Sequence, residues 1–453
     1  MKPTYAAFLG ILALIFLFTH CGDDGGEDLP KADPLKFLST FPENGATNVS
    51  FQEKTIILTF GENIKLIKPH GITFNGGDVA NASALLKELK IVVTLEPGKT
   101  YNLIIPAGKL EGRDSGGLNS EITLSFSTAT VVKPALVITN PSSEARKVYD
   151  FLYENFEKKI ISGAMANVAW NINEAEWVYR HTGKYPALNS FDYIHLHESP
   201  ASWINYENIE VVENWWNNNG LVAAMWHWNV PASEGSSAYH FYTKDTSFDV
   251  SKATVPGTFE NRIVKDDLEK IADNLLLLKT KNIPVIWRPL HEASGRWFWW
   301  GAKGADACKK LWIMMFETFE AKGLNNLIWV WTSQTNDHDW YPGDKYVDII
   351  GRDAYDKTSS AILASEYKWL KETYPNKIIA LSEFGNAADL AEQWENGVKW
   401  SWMMPWYDYN RTVNISGSEF DKQTHTHANI AYWQKVLAMD EVVTRDEMPD
   451  LKK

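Results

Sequence analysis

PVIWRPLHEASGRWFWWG, running from Pro284 to Gly301, begins as a buried strand and ends as a wall of rings. Val285 and Ile286 are strand formers, and Pro284 stands at the strand entry, where its missing N–H does least harm. The strand is expected to run into His291 and Glu292. Gly295 and four consecutive aromatics, Trp297 to Trp300, come next. A carboxylate at a strand end supplies acid/base chemistry. Flat rings beside it suit the C–H faces of a pyranose, with their N–H groups bonding outward. The plainer alternative is an aromatic-rich strand and loop with a surface Glu. Ile378 to Gly385, IIALSEFG, weighs against it, because a second apolar run again ends on a carboxylate, Glu383. Glycosidases that retain anomeric configuration hold two carboxyl groups about 5–5.5 Å apart. Two strands ending on the same face of a barrel can deliver that pair.

Taken together, WRPLHEASGRWFWWG and LSEFG resemble glycoside hydrolase family 26, most of all its β-mannanases. The resemblance covers about Ser142 to Glu441. It implies a (β/α)8 TIM barrel of the retaining clan, with Glu292 as acid/base ending strand 4 and Glu383 as nucleophile ending strand 7. The family usually has His before the acid where many clan relatives have Asn, and His291 fits. By the same resemblance His227 bonds a sugar hydroxyl, Tyr355 orients the nucleophile, Trp297 stacks near the scissile bond and His291 supports the site.

Ser142 to about Ala438 holds all 21 tryptophans and shows alternating strand and helix signals, the mark of a parallel α/β fold. Knowing the family, we expect barrel strands at 160–165, 187–192, 221–228, 285–291, 327–332, 348–353, 378–382 and 400–404. Ser142 is a helix N-cap, and helices lie over 262–280 and 309–319 among others. Sites in such barrels form at the strand C-termini. Those ends offer Asp192, His227, Asp353, Tyr355 and, after strand 8, Trp402 and Trp406 as substrate-binding candidates. For His227 the alternative is a core histidine, for Asp353 a buried partner without sugar contact, and for the two tryptophans ordinary rim packing. His425-Thr426-His427 has metal-compatible spacing, but on so polar a segment it reads as a solvated loop. The two-carboxylate mechanism requires no metal or cofactor.

Outward from the barrel the chain changes character. Leu35 to about Ala129 lacks tryptophan and shows short alternating runs at 55–60, 91–95, 101–105 and 122–126, separated by turn signals at 96–99 and 115–117. This reads as a small all-β sandwich. FPENGATNVS and TLSFST resemble bacterial Ig-like domains, and a spacer role is preferred over sugar binding because the tryptophans are missing. A linker is expected over 130–141 and a C-terminal tail over 442–453.

At the N-terminus Lys2 precedes an apolar run from Tyr5 to Phe18, too short for a comfortable membrane span and suited to a signal peptide over 1–20. Cys21 and the acidic tether that follows it, to residue 34, resemble a lipoprotein signal and export tag of Bacteroidetes type. His20 departs from the usual small residue there, and an ordinary cleaved signal is the alternative. With Cys21 lipidated, Cys308 alone remains, so no disulfide framework forms, and Cys308 reads as a buried apolar residue.

A formal net charge of −13 over 453 residues excludes a phosphate-binding surface as the dominant feature, hence no nucleic-acid partner. The expectation is a surface-exposed lipoprotein of the outer membrane that hydrolyses β-1,4 bonds in mannan, glucomannan or galactomannan. Other surface glycan-uptake proteins are candidate partners. The alternatives are a relative acting on β-1,3-xylan or mixed-linkage glucan, an exo-acting enzyme, and a non-catalytic surface glycan-binding protein.

Overall fold

The computed structural model describes residues 33–453 apart from 48, 52–54, 69, 119, 129–134, 197–203 and 387. The expected signal peptide, Cys21 and nearly all of the tether lie outside the described residues. The chain divides into two compact units, Met1–Val132 and Lys133–Lys453.

The first unit is a sandwich of two four-stranded antiparallel sheets. One is built in the order Phe37–Phe41, Thr55–Phe60, Glu88–Val92, Ala82–Leu85, the other in the order Ile122–Ser127, Thr100–Ile105, Thr73–Phe74, Gly77–Asp78. Period-2 patterning explains it: Ile56, Leu58 and Phe60 point inward from one sheet, and Ile122, Leu124 and Phe126 from the other. The strand expected at 91–95 instead ends at Val92, although Val93 and Leu95 stay buried.

The second unit is a closed barrel of eight parallel strands: Ile160–Met165, Leu188–Asp192, Leu221–Met225, Val285–Arg288, Leu327–Thr332, Ile349–Tyr355, Ile378–Gly385 and Trp402–Pro405. Sequence neighbours pair throughout, and the ring closes where Ile161 pairs with Trp402 and Gly163 with Leu188. Each strand has a helical layer outside and packed side chains inside, so its residues are buried without alternation, as at every position of Leu327–Thr332. The helices begin at sequence-legible caps. Ser142 accepts from the Ala145 N–H ahead of Ser143–Asn155, and Thr258 from the Asn261 N–H ahead of Phe259–Thr280. Cys308 is fully buried in the helix Ala305–Ala321.

Both ends of this unit correct the expected boundaries. Leu136 and Ile138, assigned to a linker, are buried in the barrel core. The Val137 N–H donates to Asp348 Oδ1 at 2.8 Å, while Oδ2 accepts from the Trp329 N–H at 2.7 Å. Residues 442–453 are not a tail. Val442 and Val443 pair in parallel with Ile160 and Ile161, the Ser162 hydroxyl donates to the Val443 carbonyl, and Met448 is buried.

Candidate active site

Strand 4 pairs with strand 5 as far as Trp287 opposite Trp329 and with strand 3 as far as Arg288 opposite Met225, and it ends at Arg288 rather than at His291. The chain then turns through left-handed backbone at Leu290 (φ 47°), Glu292 (φ 54°) and Arg296 (φ 62°). Such angles are unfavourable for residues with a Cβ and persist where surroundings hold them. Here the Trp300 indole donates to the His291 carbonyl at 2.9 Å, and the Gly295 N–H to the Glu292 carbonyl at 3.0 Å. Gly295 is required by close approach, because a Cβ there would meet the Trp297 ring at 2.1 Å. The second carboxylate arrives differently. Strand 7 carries a bulge against strand 6: Arg352 lies opposite Leu381, but Asp353 lies opposite Glu383, leaving Ser382 as the extra residue. Bulges re-aim side chains beside active sites. This one brings Ser382 Oγ to Asp353 Oδ1 at 2.7 Å.

The two turns bring Glu292 and Glu383 together. One carboxylate oxygen from each of Glu292, Asp353 and Glu383 lies within 4.8 Å of the others. Arg288, almost fully buried, holds this cluster together. Its guanidinium donates to Asp353 Oδ2 at 2.7 Å and, through its other terminal nitrogen, to Glu383 Oε2. Tyr355 donates its hydroxyl to Glu383 Oε1 at 2.7 Å. Among the described residues Glu292 has only the Trp297 indole N–H, 3.0 Å from Oε2.

This asymmetry sorts the two acids. Burial, then the charges of Asp353 and Glu383, push Glu292 up to about 8. Burial and Asp353 also raise Glu383, but Arg288 and the Tyr355 hydroxyl oppose that rise at its own oxygens. The proton retained by the pair therefore sits on Glu292, and Glu383 carries the charge. Glu292, Asp353 and Glu383 are also the one acidic cluster among the described residues with metal-compatible geometry. The Arg288 guanidinium already satisfies two of the three, supplying the cation such a cluster needs.

His227 follows strand 3, which ends at Met225 rather than at the expected Trp228. Its Nδ1 lies 2.6 Å from Asp192 Oδ2, and its backbone N–H donates to Asp192 Oδ1. A carboxylate only accepts, so Nδ1 carries a proton, and in the neutral ring Nε2 is the acceptor. The ring borders a cavity of about 430 Å³ whose walls include Asp192, Phe241, Tyr242, Trp406 and Tyr407. Trp406 meets the His227 ring at 5.9 Å between centroids. Trp297 stands 43% exposed and Tyr355 36% exposed, so both rings are open to a ligand.

Trp402, Asp353 and His425 depart from their expected positions, while His291 keeps its supporting place. Trp402 begins strand 8 instead of following it, and is buried opposite Ile161 at the end away from the carboxylates. The Asp353 side chain is wholly enclosed by Arg288 and Ser382, so it orients the site and has no surface for a sugar. His291 is 1% exposed and packs on His227, Phe298 and Trp300, with burial first and then His227 and Arg288 pushing it well below the usual histidine range. It supports the site as a neutral ring without reaching the mouth. His425 is no solvated residue, since its buried ring bonds Glu174. Arg288, unlike Asp192 at the end of strand 2, was not singled out as a site residue from sequence alone. An arginine inside VIWR, among strand apolars, is the signal that could have found it.

Known proteins resemble this chain over both of its units. The family model for "Glycosyl hydrolase family 26" matches residues 137–431, and one for "Bacterial Ig-like domain" matches 31–128. A mannan endo-1,4-beta-mannosidase of Thermothelomyces thermophilus is 36% identical over 318 residues, covering 67% of this chain and 63% of the relative. Mannan endo-1,4-beta-mannosidase A of a Piromyces species is 32% identical over 385 residues, covering 82% and 60%. The chain thus spans about three-fifths of the length of these curated relatives. Among solved structures, the GH26 domain of an endo-beta-mannanase/endo-beta-glucanase from Prevotella bryantii is 40% identical with a TM-score of 0.63, covering 69% of this chain and 98% of that one. A beta-mannanase from a symbiotic protist of the termite Reticulitermes speratus, complexed with gluco-manno-oligosaccharide, is 35% identical with a TM-score of 0.60, covering 70% and 98%.

Proposed function

The chain belongs to glycosyl hydrolase family 26, and from that premise we propose that it is a retaining endo-β-1,4-mannanase acting on mannan, glucomannan or galactomannan. One observation carries the chemistry: two carboxyl groups with oxygens inside 4.8 Å, one pushed up to about 8 and the other held by Arg288 and Tyr355. Inverting enzymes separate the pair by about 6.5–9.5 Å to admit a water, and retaining enzymes by about 5–5.5 Å. Glu383 attacks the anomeric carbon as Glu292 passes its proton to the departing glycosidic oxygen, giving a covalent glycosyl-enzyme. Glu292, now ionised, takes a proton from water, and the resulting attack releases the sugar and Glu383. Tyr355 and Arg288 hold Glu383 in line, Trp297 stacks on a sugar and donates to Glu292, and His227 Nε2 accepts from a sugar hydroxyl beside Trp406.

The substrate assignment is supported by the names of the relatives. We place the enzyme, as a proposal from its first 34 residues, on the outer cell surface, anchored through lipidated Cys21 with the sandwich as spacer. The test is reducing-sugar release and product profiling on mannan, galactomannan, mixed-linkage glucan and β-1,3-xylan, with Glu292→Gln and Glu383→Gln alongside. Mixed manno-oligosaccharides, lost in both variants, are expected. A single short product would make it exo-acting, and cleavage of another glycan alone would overturn the substrate. Binding without cleavage would leave a surface glycan-binding protein.

A further inference from the structure

The loop after strand 8 is pinned by a buried clasp whose residues take no part in the steps above. Glu174, in the helix Asn173–Thr182, accepts from His425 Nε2 at 3.0 Å and from the Asp408 N–H at 2.8 Å. His425 Nδ1 accepts from the backbone N–H groups of His427 and Ala428, each at 3.0 Å. Both ring nitrogens are committed, so the tautomer and the ring plane of His425 are set. Asp408 closes the clasp by accepting from the N–H and hydroxyl of Thr426 at 2.9 and 2.8 Å. Everything in this arrangement aims one residue, His427.

The His427 ring stands edge-on to Tyr355, with centroids 5.8 Å apart and planes at 83°. Beneath both rings lies Gly385, two residues after Glu383. A Cβ on Gly385 would sit 2.4 Å from His427 Nδ1 and 2.7 and 2.8 Å from two Tyr355 ring carbons, so only glycine lets the rings settle there. His427 Nδ1 is buried without a hydrogen-bond partner among the described residues, so the ring is placed by packing. Tyr355 is exposed on its other side, and its hydroxyl has one stated task, the bond to Glu383. Without His427 the phenol would have free space beside it.

We propose that His427 is a positioning residue for the hydrolytic reaction: set by the Glu174–His425 clasp, it holds Tyr355 against Glu383. The proposal rests on the role given to Glu383 under the proposed function. It is tested with His427→Ala, His427→Phe, Tyr355→Phe and the His427→Ala/Tyr355→Phe double variant, on whichever glycan wild type cleaves. Tyr355→Phe loses a charge-assisted hydrogen bond and is expected to lower kcat about 10- to 100-fold. His427→Ala should lower kcat about 5- to 20-fold, a fraction of that loss, with KM within about twofold and the acid limb of the pH profile moved upward. His427→Phe keeps a flat ring and should recover most of kcat. In the Tyr355→Phe background, His427→Ala should add nothing. Multiplying effects, a KM change alone, or a Phe variant as impaired as Ala would each overturn the proposal. Crystal structures of wild type and His427→Ala give a reading independent of turnover. The phenol is expected to leave hydrogen-bond distance of Glu383, and its staying would refute the role of His427 even if the enzyme assignment held. Absence of turnover in wild type would sink that assignment and leave the structural comparison to decide the packing role.

Discussion

Replacing Trp297 with Phe should extend activity to higher pH while lowering its plateau. The Trp297 indole donates to Glu292 Oε2 at 3.0 Å and favours the ionised acid, so it pulls Glu292 down against the burial and negative neighbours that raise it to about 8. Removing the donor leaves those neighbours less opposed. A hydrogen bond to a charged group contributes about 1.5–3 kcal/mol when buried. With the indole 43% exposed, solvent screening cuts this to about 0.5–1 kcal/mol. At about 1.36 kcal/mol per pH unit, this gives a rise of about 0.4–0.7 units. The acid must be protonated to act, so activity is full below the Glu292 pKa and lost as pH rises through it. The basic limb of kcat/KM should therefore move from about 8 to about 8.5, while loss of the indole platform lowers the plateau roughly tenfold. Measuring kcat/KM from pH 5 to 10 for both proteins reads both effects. A basic limb that stays still or moves to lower pH would refute the claim that this indole tunes Glu292.

Two further substitutions probe the supports. Arg288→Met leaves Asp353 and Glu383 buried without their cation, so urea unfolding should show a loss of about 3–5 kcal/mol. Activity at pH 7 should fall more than about 1,000-fold as Glu383 takes up a proton; a loss below about 1 kcal/mol would show that the ion pairs matter little. Asp348, raised by burial to about 7, titrates near 4 when unfolded. The unfolded chain thus gives up this proton first, and stability falls between about pH 4 and 7 on its account. Asp348→Asn should remove that slope, measured as the pH dependence of unfolding. It should also cost about 1–3 kcal/mol at pH 5, because an amide oxygen can replace only one of the acceptors facing Val137 and Trp329.

The barrel and its two acids were legible because their signals are local. Strands 1 and 5 were read to the residue: each opens directly after a polar pair, Lys158-Lys159 and Asn325-Asn326, and is buried along its whole length in a sheet covered on both faces. Glu383 was legible as the charge ending such a run. The true end of strand 4 was not, since the turn through Leu290 and Glu292 uses left-handed backbone without the glycine that would announce it. Trp402 was misplaced because it was set after a strand whose expected span, 400–404, already contained it; the strand runs Trp402–Pro405, so the ring lies at its start, away from the mouth. His425 looked solvated because its neighbours in sequence are polar, while its partner Glu174 lies 251 residues earlier. Arg288 was obscured for the same reason: the carboxylates that give it meaning come from other strands.

The hydrogen bond from Ser162 to Val443 spans 281 residues, and it lies on the strand that must also receive strands 2 and 8. A ribosome delivers strand 1 long before it delivers the partners that complete it. Until then that strand keeps an unpaired edge, and contacts of such sequence separation form late and slowly. The chain should accordingly remain incompletely folded while it is being made, passing through a period in which helper proteins, aggregation and translocation compete for it. Shortening it from the C-terminus by a dozen residues would then act on the yield of folded enzyme far more than on the turnover of molecules that had already closed.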